Sequence, residues 1–456
     1  MVYYAYSPMQ TTDDLQEDLN EKSLLLGHLP YQDEAVHLMR DRLKAASRSS
    51  DPVAMRALKR DALMLLRAKL LESAVRGVSA NWQSPSAIHA VYDEAGNESG
   101  KIRLTMNDYK RDYHADATAY EQSFRRKYID GIVTIAVRAH LVSSGMAGLT
   151  TILAFLLGEG LAEGVILAGT NTYFQSKDLI AKLLADRLSL VHESDTRSIL
   201  AVIRDRKPGA VFLDSATNSH DMTRPDLTAI ITTLVKTLRH DMALVIDNTC
   251  QATRFQPIPL LLGKHTRLRL FVYESLNKYH QFGADRVTAG IIWAYGPGTE
   301  KLFDYRKNCG TIIPDLSARA LPLQDRALLD RRLDRMERNA RFLAERLRPR
   351  ADVAYTGGSL LAVRFGSAKQ TISRSKIFLN QAINEAKKQT VPLVAGTSFG
   401  FDTTRIYLTA STSRYGEPFL RLAAGTEDAD LLANIARIFE NLLSRAQANT
   451  PPPKNT

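Results

Sequence analysis

Phe271-Val272-Tyr273-Glu274-Ser275-Leu276-Asn277-Lys278-Tyr279 lies about thirty residues beyond the apolar run Ala243-Leu244-Val245-Ile246, which ends on Asp247-Asn248-Thr249. Both stretches read as strands, rich in β-branched and aromatic residues and closed by polar ones. A lysine past one strand end and an aspartate at another is the arrangement that holds pyridoxal phosphate. The lysine forms a Schiff base, and the aspartate pairs with the protonated ring nitrogen so that the ring becomes an electron sink. Taken singly, each residue has a plainer reading. Lysines mostly occupy solvated surfaces, and an aspartate after a β-branched run is commonly a strand end or a helix cap.

The neighbouring segments decide between these readings. Ser143-Ser144-Gly145-Met146-Ala147-Gly148-Leu149-Thr150 precedes an apolar stretch that reads as a helix opening behind a small-residue turn. Free backbone N–H groups at the positive end of such a helix suit a phosphate; alone, the turn would be an ordinary Gly-Ser turn before a core helix. Tyr173, in Gly169-Thr170-Asn171-Thr172-Tyr173, can stack on a planar ring. Val211-Phe212-Leu213-Asp214-Ser215-Ala216-Thr217-Asn218 reads as a further strand ending in polar groups. Four strand ends thus deliver polar or aromatic groups in order, as a ligand at the carboxyl edge of an α/β sheet requires.

In this order the segments resemble the Cys/Met-metabolism family of fold-type I pyridoxal-phosphate enzymes, the cystathionine γ-synthase-like group. Ser144-Gly145-Met146-Ala147 resembles its Ser-Gly-Met-Ala turn, and Thr217-Asn218 its Pro-Thr-Asn-Pro. Val245-Ile246-Asp247-Asn248-Thr249 is similar to its Val-Asp-Asn-Thr, and Ser275-Leu276-Asn277-Lys278-Tyr279 to its Ser-Ala-Thr-Lys-Tyr. The resemblance runs from about Tyr109 to Glu427 and rests on the order of the motifs. It implies that Lys278 carries the cofactor and moves protons, with Tyr173 stacked on the ring. Asp247 would hold the pyridinium and Asn218 the ring hydroxyl; Gly145, Met146, Ser275 and the Asn277 amide would hold the phosphate. Tyr109 and Arg111 would reach the phosphate from a neighbouring subunit, which implies a homodimer or homotetramer with shared sites. Arg421, in Phe419-Leu420-Arg421-Leu422-Ala423, would grip a substrate carboxylate bidentately. Ser398 would contact the lysine or that carboxylate.

The chain also departs from the family pattern. Asn277 stands where a threonine is usual, Asp214-Ser215-Ala216 replaces Glu-Thr-Pro or Glu-Ser-Pro, and His280-Gln281-Phe282-Gly283 replaces Leu-Gly-Gly-His. These altered segments are expected at the pocket mouth.

Composition and length fit a soluble metabolic enzyme. With 456 residues, 45% of them hydrophobic, the chain can bury one large core and a smaller one. Met1 to Gln10 shows neither a basic nor an apolar targeting region, and there is no apolar run long enough to span a bilayer. The two cysteines, Cys250 and Cys309, point to a reducing cytoplasm; Cys250, close after the Asp247 strand end, has a place near the pocket as one reading and a buried structural thiol as the preferred one. No Cys/His spacing suits a metal. The net charge of +11 admits an acidic or nucleic-acid partner. Over Asp325 to Arg348, however, bases interleave with Asp330, Asp334, Glu337 and Glu345, the pattern of a solvated, ion-paired helix face rather than of nucleic-acid binding.

The expected architecture is α/β: a helical N-terminal extension and arm (1–118), a large cofactor-binding domain with a mostly parallel sheet and helices on both faces (119–315), a smaller α/β C-terminal domain (316–448) and a disordered tail (449–456). In the extension, Asp33 to Ala46 and Pro52 to Arg76 read as helices, and Asp93 to Gly100 as a turn. Ser317 to Arg348 reads as a long helix or helix pair, and Ala429 to Ala446 as a final helix.

The activity implied by the resemblance is γ-replacement on an amino acid with a Cγ leaving group, through a vinylglycine-type quinonoid, forming a C–S or C–C bond. Alternatives are a specialised-metabolism enzyme that takes S-adenosylmethionine as γ-substrate and a larger acceptor such as a nicotinamide dinucleotide, a β- or γ-lyase, and a non-catalytic basic scaffold. Fold alone does not choose among them.

Overall fold

The computed structural model describes residues 10–81, 115–131, 137–264, 266–365, 368–409 and 417–448. Tyr109 and Arg111, the turn expected over Asp93 to Gly100 and the tail beyond 448 lie outside these residues. The chain opens with α1 (Thr11–Gly27), α2 (Glu34–Ala46) and α3 (Pro52–Asn81). Asp33 caps α2, accepting from Val36 N–H. On α3, Met55, Leu58, Ala62, Leu66 and Leu70 are buried at three- and four-residue spacing.

After α4 (Ala115–Tyr128), β1 (Arg138–Val142) leads into α5 (Gly145–Gly158). There follow β2 (Ile166–Gly169), α6 (Phe174–Leu184), β3 (Leu188–Val191), α7 (Thr196–Arg206), β4 (Ala210–Asp214), α8 (Leu227–Thr237) and β5 (Met242–Asp247). β6 (Leu268–Ser275) and β7 (Gly290–Tyr295) complete a sheet of order β1-β7-β6-β5-β4-β2-β3. Strands β2 to β6 pair in parallel, while β7 runs antiparallel to both β6 and β1. Strand alternation builds two cores. Phe212, Val245 and Phe271 pack with Leu153 and Phe155 of α5 on one face, and Val211, Leu244 and Val272 pack with α7 and α8 on the other. Leu15, Leu19 and Leu26 of α1 are fully buried in this second core, each contributing about 2 kcal/mol.

α9 (Leu302–Asn308), α10 (Asp315–Arg319) and α11 (Arg326–Leu347) lead to the smaller sheet. Its strands are β8 (Asp352–Ala354), β9 (Leu360–Arg364), β10 (Val394–Ala395), β11 (Arg405–Thr409) and β12 (Phe419–Ala423), in order β10-β11-β12-β9-β8. It packs on α11, α12 (Ala368–Lys388) and α13 (Ala429–Ala448) through a third core that includes Leu343, Leu361, Leu422 and Phe439.

One expectation is corrected on α11. Its interleaved charges do not form a wholly solvated face: Arg332 and Arg335 are 2% and 3% exposed. Their guanidinium groups bond to α1 and to backbone carbonyls at Gly400 and Thr426. Charge interleaving records pairing, and these partners come from α1 and from loop segments.

Candidate active site

The carboxyl ends of β4, β5 and β6 open on a cavity of 380 Å3. Parallel pairing sets Asp214 beside Asp247, and Asp247 beside Tyr273. The turn before α5 closes one side. Ser144 Oγ accepts from Ala147 N–H at 3.0 Å, capping the helix. Gly145 lies so near β6 that a Cβ there would be 3.1 Å from Ser275 Cβ, and one on Gly290 would meet the Ser144 carbonyl carbon at 2.4 Å. Ser275 N–H in turn donates to Thr249 Oγ1 at 3.0 Å. A helix N-terminus, the end of β6 and the start of β7 are therefore locked together, with Gly145, Met146 and Ser275 on the cavity wall.

Asp247 Oδ1 accepts from Thr249 N–H at 2.9 Å, and its carboxylate also bonds to Tyr273. Burial pushes its pKa up. Asp214 accepts from Tyr173 N–H at 2.8 Å and is pushed well above the carboxylate range by burial, reinforced by Asp247. Charge on either of these adjoining carboxylates opposes ionisation of the other, and for Asp214 the charge of Lys177 only partly offsets it.

Lys278 Nζ donates to Ser398 Oγ at 2.7 Å and sits 5.2 Å from the Phe399 ring centroid. Burial, then the charge of Arg421, pulls the ammonium below its ordinary value, which favours a neutral amine. Arg421, in the middle of β12, is 5% exposed. It donates to Asn218 Oδ1 at 3.4 Å and to the Thr397 carbonyl, has no carboxylate partner among the described residues, and its Nε is unbonded. A buried guanidinium in this state lacks a counter-charge.

Gly145, Met146, Tyr173, Asn218, Asp247, Ser275, Lys278 and Arg421 thus share one cavity, with Ser398 bonded to the lysine. Asn277 stands apart: its Oδ1 accepts from Ala289 N–H at 2.8 Å, tying β7 to the lysine loop, and it is not on the cavity wall. The expected mouth position of His280 and Gln281 is corrected as well. His280 is 3% exposed and bonds through Nε2 to Glu274 at 2.9 Å, while Gln281 braces the loop through Leu276 O and Val287 O. Both side chains are thus turned inward, to Glu274 and to backbone carbonyls, although His280 Nδ1 is buried without a hydrogen-bond partner among the described residues. Asp214 and Ala216, from the other altered segment, do line the cavity. So does Cys250, whose thiol is pushed up to about 12 by burial, then by Asp247. Phe399 and Tyr407, which flank Arg421 at 5.8 Å each, carry no local sequence signal; only the folding of β11 against β12 brings Tyr407 opposite Arg421.

These features fit pyridoxal phosphate: a recessed carboxylate, ion-paired with no cation among the described residues, for the ring nitrogen, a helix N-terminus for the phosphate and a half-buried lysine of lowered basicity. Comparison with known proteins agrees. Residues 91–399 match the family described as Cys/Met metabolism PLP-dependent enzyme. The chain belongs to that family. It is an enzyme, and pyridoxal phosphate is its cofactor. A cystathionine gamma synthase from Xanthomonas oryzae pv. oryzae superposes with a TM-score of 0.61 over 82% of this chain and 93% of that one, at 18% identity. CalE6, a methionine gamma lyase from Micromonospora echinospora, gives 0.56 over 74% and 88%, also at 18%. At such identity the likeness is one of fold. Among curated proteins, the bifunctional enzyme flvA of Aspergillus flavus is 25% identical over 307 residues, 64% of this chain. The matched part is 37% of that protein's length. Among the described residues no helix is long and apolar enough to cross a membrane, and no group of side chains could hold a metal ion.

Proposed function

We propose that the enzyme performs γ-replacement on an α-amino acid bearing a leaving group at Cγ. The observation that carries this reading is Arg421: a buried guanidinium without a carboxylate partner among the described residues, in the same cavity as Lys278. It takes the substrate α-carboxylate in a bidentate grip, with Ser398 beside it. Lys278 carries the cofactor and, once displaced by substrate, moves protons at Cα and then Cβ; its lowered basicity suits a base that must be neutral. Asp247 holds the ring nitrogen, the Asn218 amide nitrogen the ring hydroxyl, and Tyr173 one ring face. Gly145, Met146 and Ser275 hold the phosphate, and Asn277 acts there through the loop it braces. When bound, the cofactor supplies an electron sink for negative charge next to the amino group. Cys250, kept as a thiol, does not compete as a nucleophile. By the family resemblance of their segment, Tyr109 and Arg111 would serve the phosphate of a neighbouring subunit, which makes the working unit a homodimer or a homotetramer, in a reducing cytoplasm that suits two free cysteines.

The test is a product assay with an O-acyl homoserine or S-adenosylmethionine, each with and without a thiol or a nicotinamide dinucleotide as acceptor. A product joined at Cγ that appears only with acceptor supports replacement, and the donor that yields it names the leaving group. Ammonia and a keto acid released at the same rate without acceptor would make the enzyme a lyase.

A further inference from the structure

The N-terminal helices reach the lysine loop through a buried ion cluster. Lys22, on α1, has a side chain with no exposure; it meets Glu21 at 2.6 Å and Asp402 at 3.0 Å. Arg332, equally buried, meets Glu21 at 2.8 Å and Asp402 at 2.6 Å. Two cations and two carboxylates thus balance in the interior, where removing one member leaves an uncompensated charge. Burial opposes the Asp402 charge, but Lys22 and Arg332 hold its carboxyl far below the usual range. Likewise burial opposes the Lys22 ammonium, yet Asp402 and Glu21 keep it above its ordinary value. Both groups therefore stay ionised throughout the physiological range.

This cluster grips both chain segments that position Lys278. On one side, Lys22 Nζ donates to the carbonyl of Phe282, at 3.3 Å, in the segment that follows the lysine. A Cβ on Gly283, φ +81°, would lie 2.6 Å from Asp402 Oδ1, so the backbone passes directly over the cluster. On the other side, Asp402 ends the segment that carries Ser398 and Phe399. Gly400, φ +87°, presses against the peptide after Lys278: a Cβ there would be 2.6 Å from the Lys278 carbonyl carbon. Arg332 also donates to the Gly400 carbonyl at 3.1 Å. The Lys278–Ser398 hydrogen bond thus spans two segments that α1 and α11 tie together from behind.

We propose that Lys22 is a positioning residue for the active-site lysine: from the N-terminal helical segment, it clamps the Phe282 and Asp402 segments so that Ser398 and Phe399 are held against Lys278. The proposal rests on Lys278 being the cofactor lysine. It makes α1 part of the catalytic apparatus of its own chain, distinct from any phosphate contact supplied by a neighbouring subunit.

The test uses the holoenzyme of Lys22→Met combined with Glu21→Gln, which removes one cation and one carboxylate and leaves Arg332 paired with Asp402. Three quantities are read: the melting temperature, the pH at which the visible band of the lysine-bound cofactor titrates, and kcat against KM. The expected result is a titration midpoint moved by about half a unit or more and kcat lowered about tenfold, with KM nearly unchanged. A lower melting temperature with wild-type midpoint and kcat would overturn the proposal, leaving the cluster a purely structural one. If the double variant does not fold, Asp402→Asn gives the same two readings from the loop side. Lys278→Ala, run in parallel, separates the failures: if it keeps the visible band, the assignment of Lys278 fails rather than that of Lys22.

Discussion

Arg421 and Lys278 approach the same ring, Phe399, at 5.8 and 5.2 Å, and what distinguishes them is shape as much as charge. A guanidinium presents a planar fork to a carboxylate, which an ammonium does not. Arg421→Lys should therefore raise KM for the amino acid by about tenfold to a hundredfold while leaving the cofactor's absorbance in place; steady-state kinetics beside a spectrum decide this. A second residue sets a pH dependence of stability. Glu427, 2% exposed, is pushed up to about 7 by burial, from an ordinary 4.5. Below pH 4.5 the carboxyl is protonated in both folded and unfolded chains, so the folded state gains most there. As pH rises through 7 the unfolded chain ionises freely while the folded one must ionise in the interior, and about 3 kcal/mol of stability is lost across that window. Glu427→Gln should flatten the decline in melting temperature between pH 5 and 8, as thermal melts at several pH values will read.

Close backbone approach governs the elements around the cavity. β7 passes the turn before α5 at Gly290, where a methyl group would collide with the Ser144 carbonyl carbon at 2.4 Å. Gly290→Ala should displace that turn and weaken cofactor affinity by at least about tenfold, a loss of about 1–3 kcal/mol in packing, measurable by cofactor titration of the apoenzyme. Strands β4, β5 and β6 were legible in the sequence because Val211 to Leu213, Ala243 to Ile246 and Phe271 to Tyr273 are apolar runs closed by polar residues. The helix pair α10 and α11 and the final helix were legible from periodicity. α1 was not: its inward face mixes Leu15, Leu19, Leu25 and Leu26 with buried Asp14, Asp18, Glu21 and Lys22, so no apolar stripe stands out. The cavity-wall residues Gly145, Asp247, Lys278 and Arg421 were legible from motif order. His280 and Gln281 were misplaced, because a polar residue's partner at Glu274 or Val287 is set by the loop's fold and not by its local sequence.

At the scale of the whole molecule, the ion pairs divide into surface pairs and an interior set that joins the N-terminal helices to the rest. Lys22, Arg332, Arg335 and Lys59 meet Asp14, Asp18, Glu21 and Asp402, and the leucines of α1 and α3 lie in the same core as β4, β5 and β6. α1 to α3 are thus part of one packed body. Removing residues 1–81 should expose that core and leave Arg332 and Arg335 without their α1 carboxylates, so the shortened chain is expected to be insoluble; recovery of a soluble, cooperatively melting protein would show that the helices are an appendage. The central claim, that Lys278 holds the cofactor in the cavity shared with Asp247 and Arg421, is tested most directly by reducing the holoenzyme with borohydride and mapping the modified peptide. The account predicts the pyridoxyl group on Lys278, in the peptide containing Ser275-Leu276-Asn277; its attachment to any other lysine would contradict it.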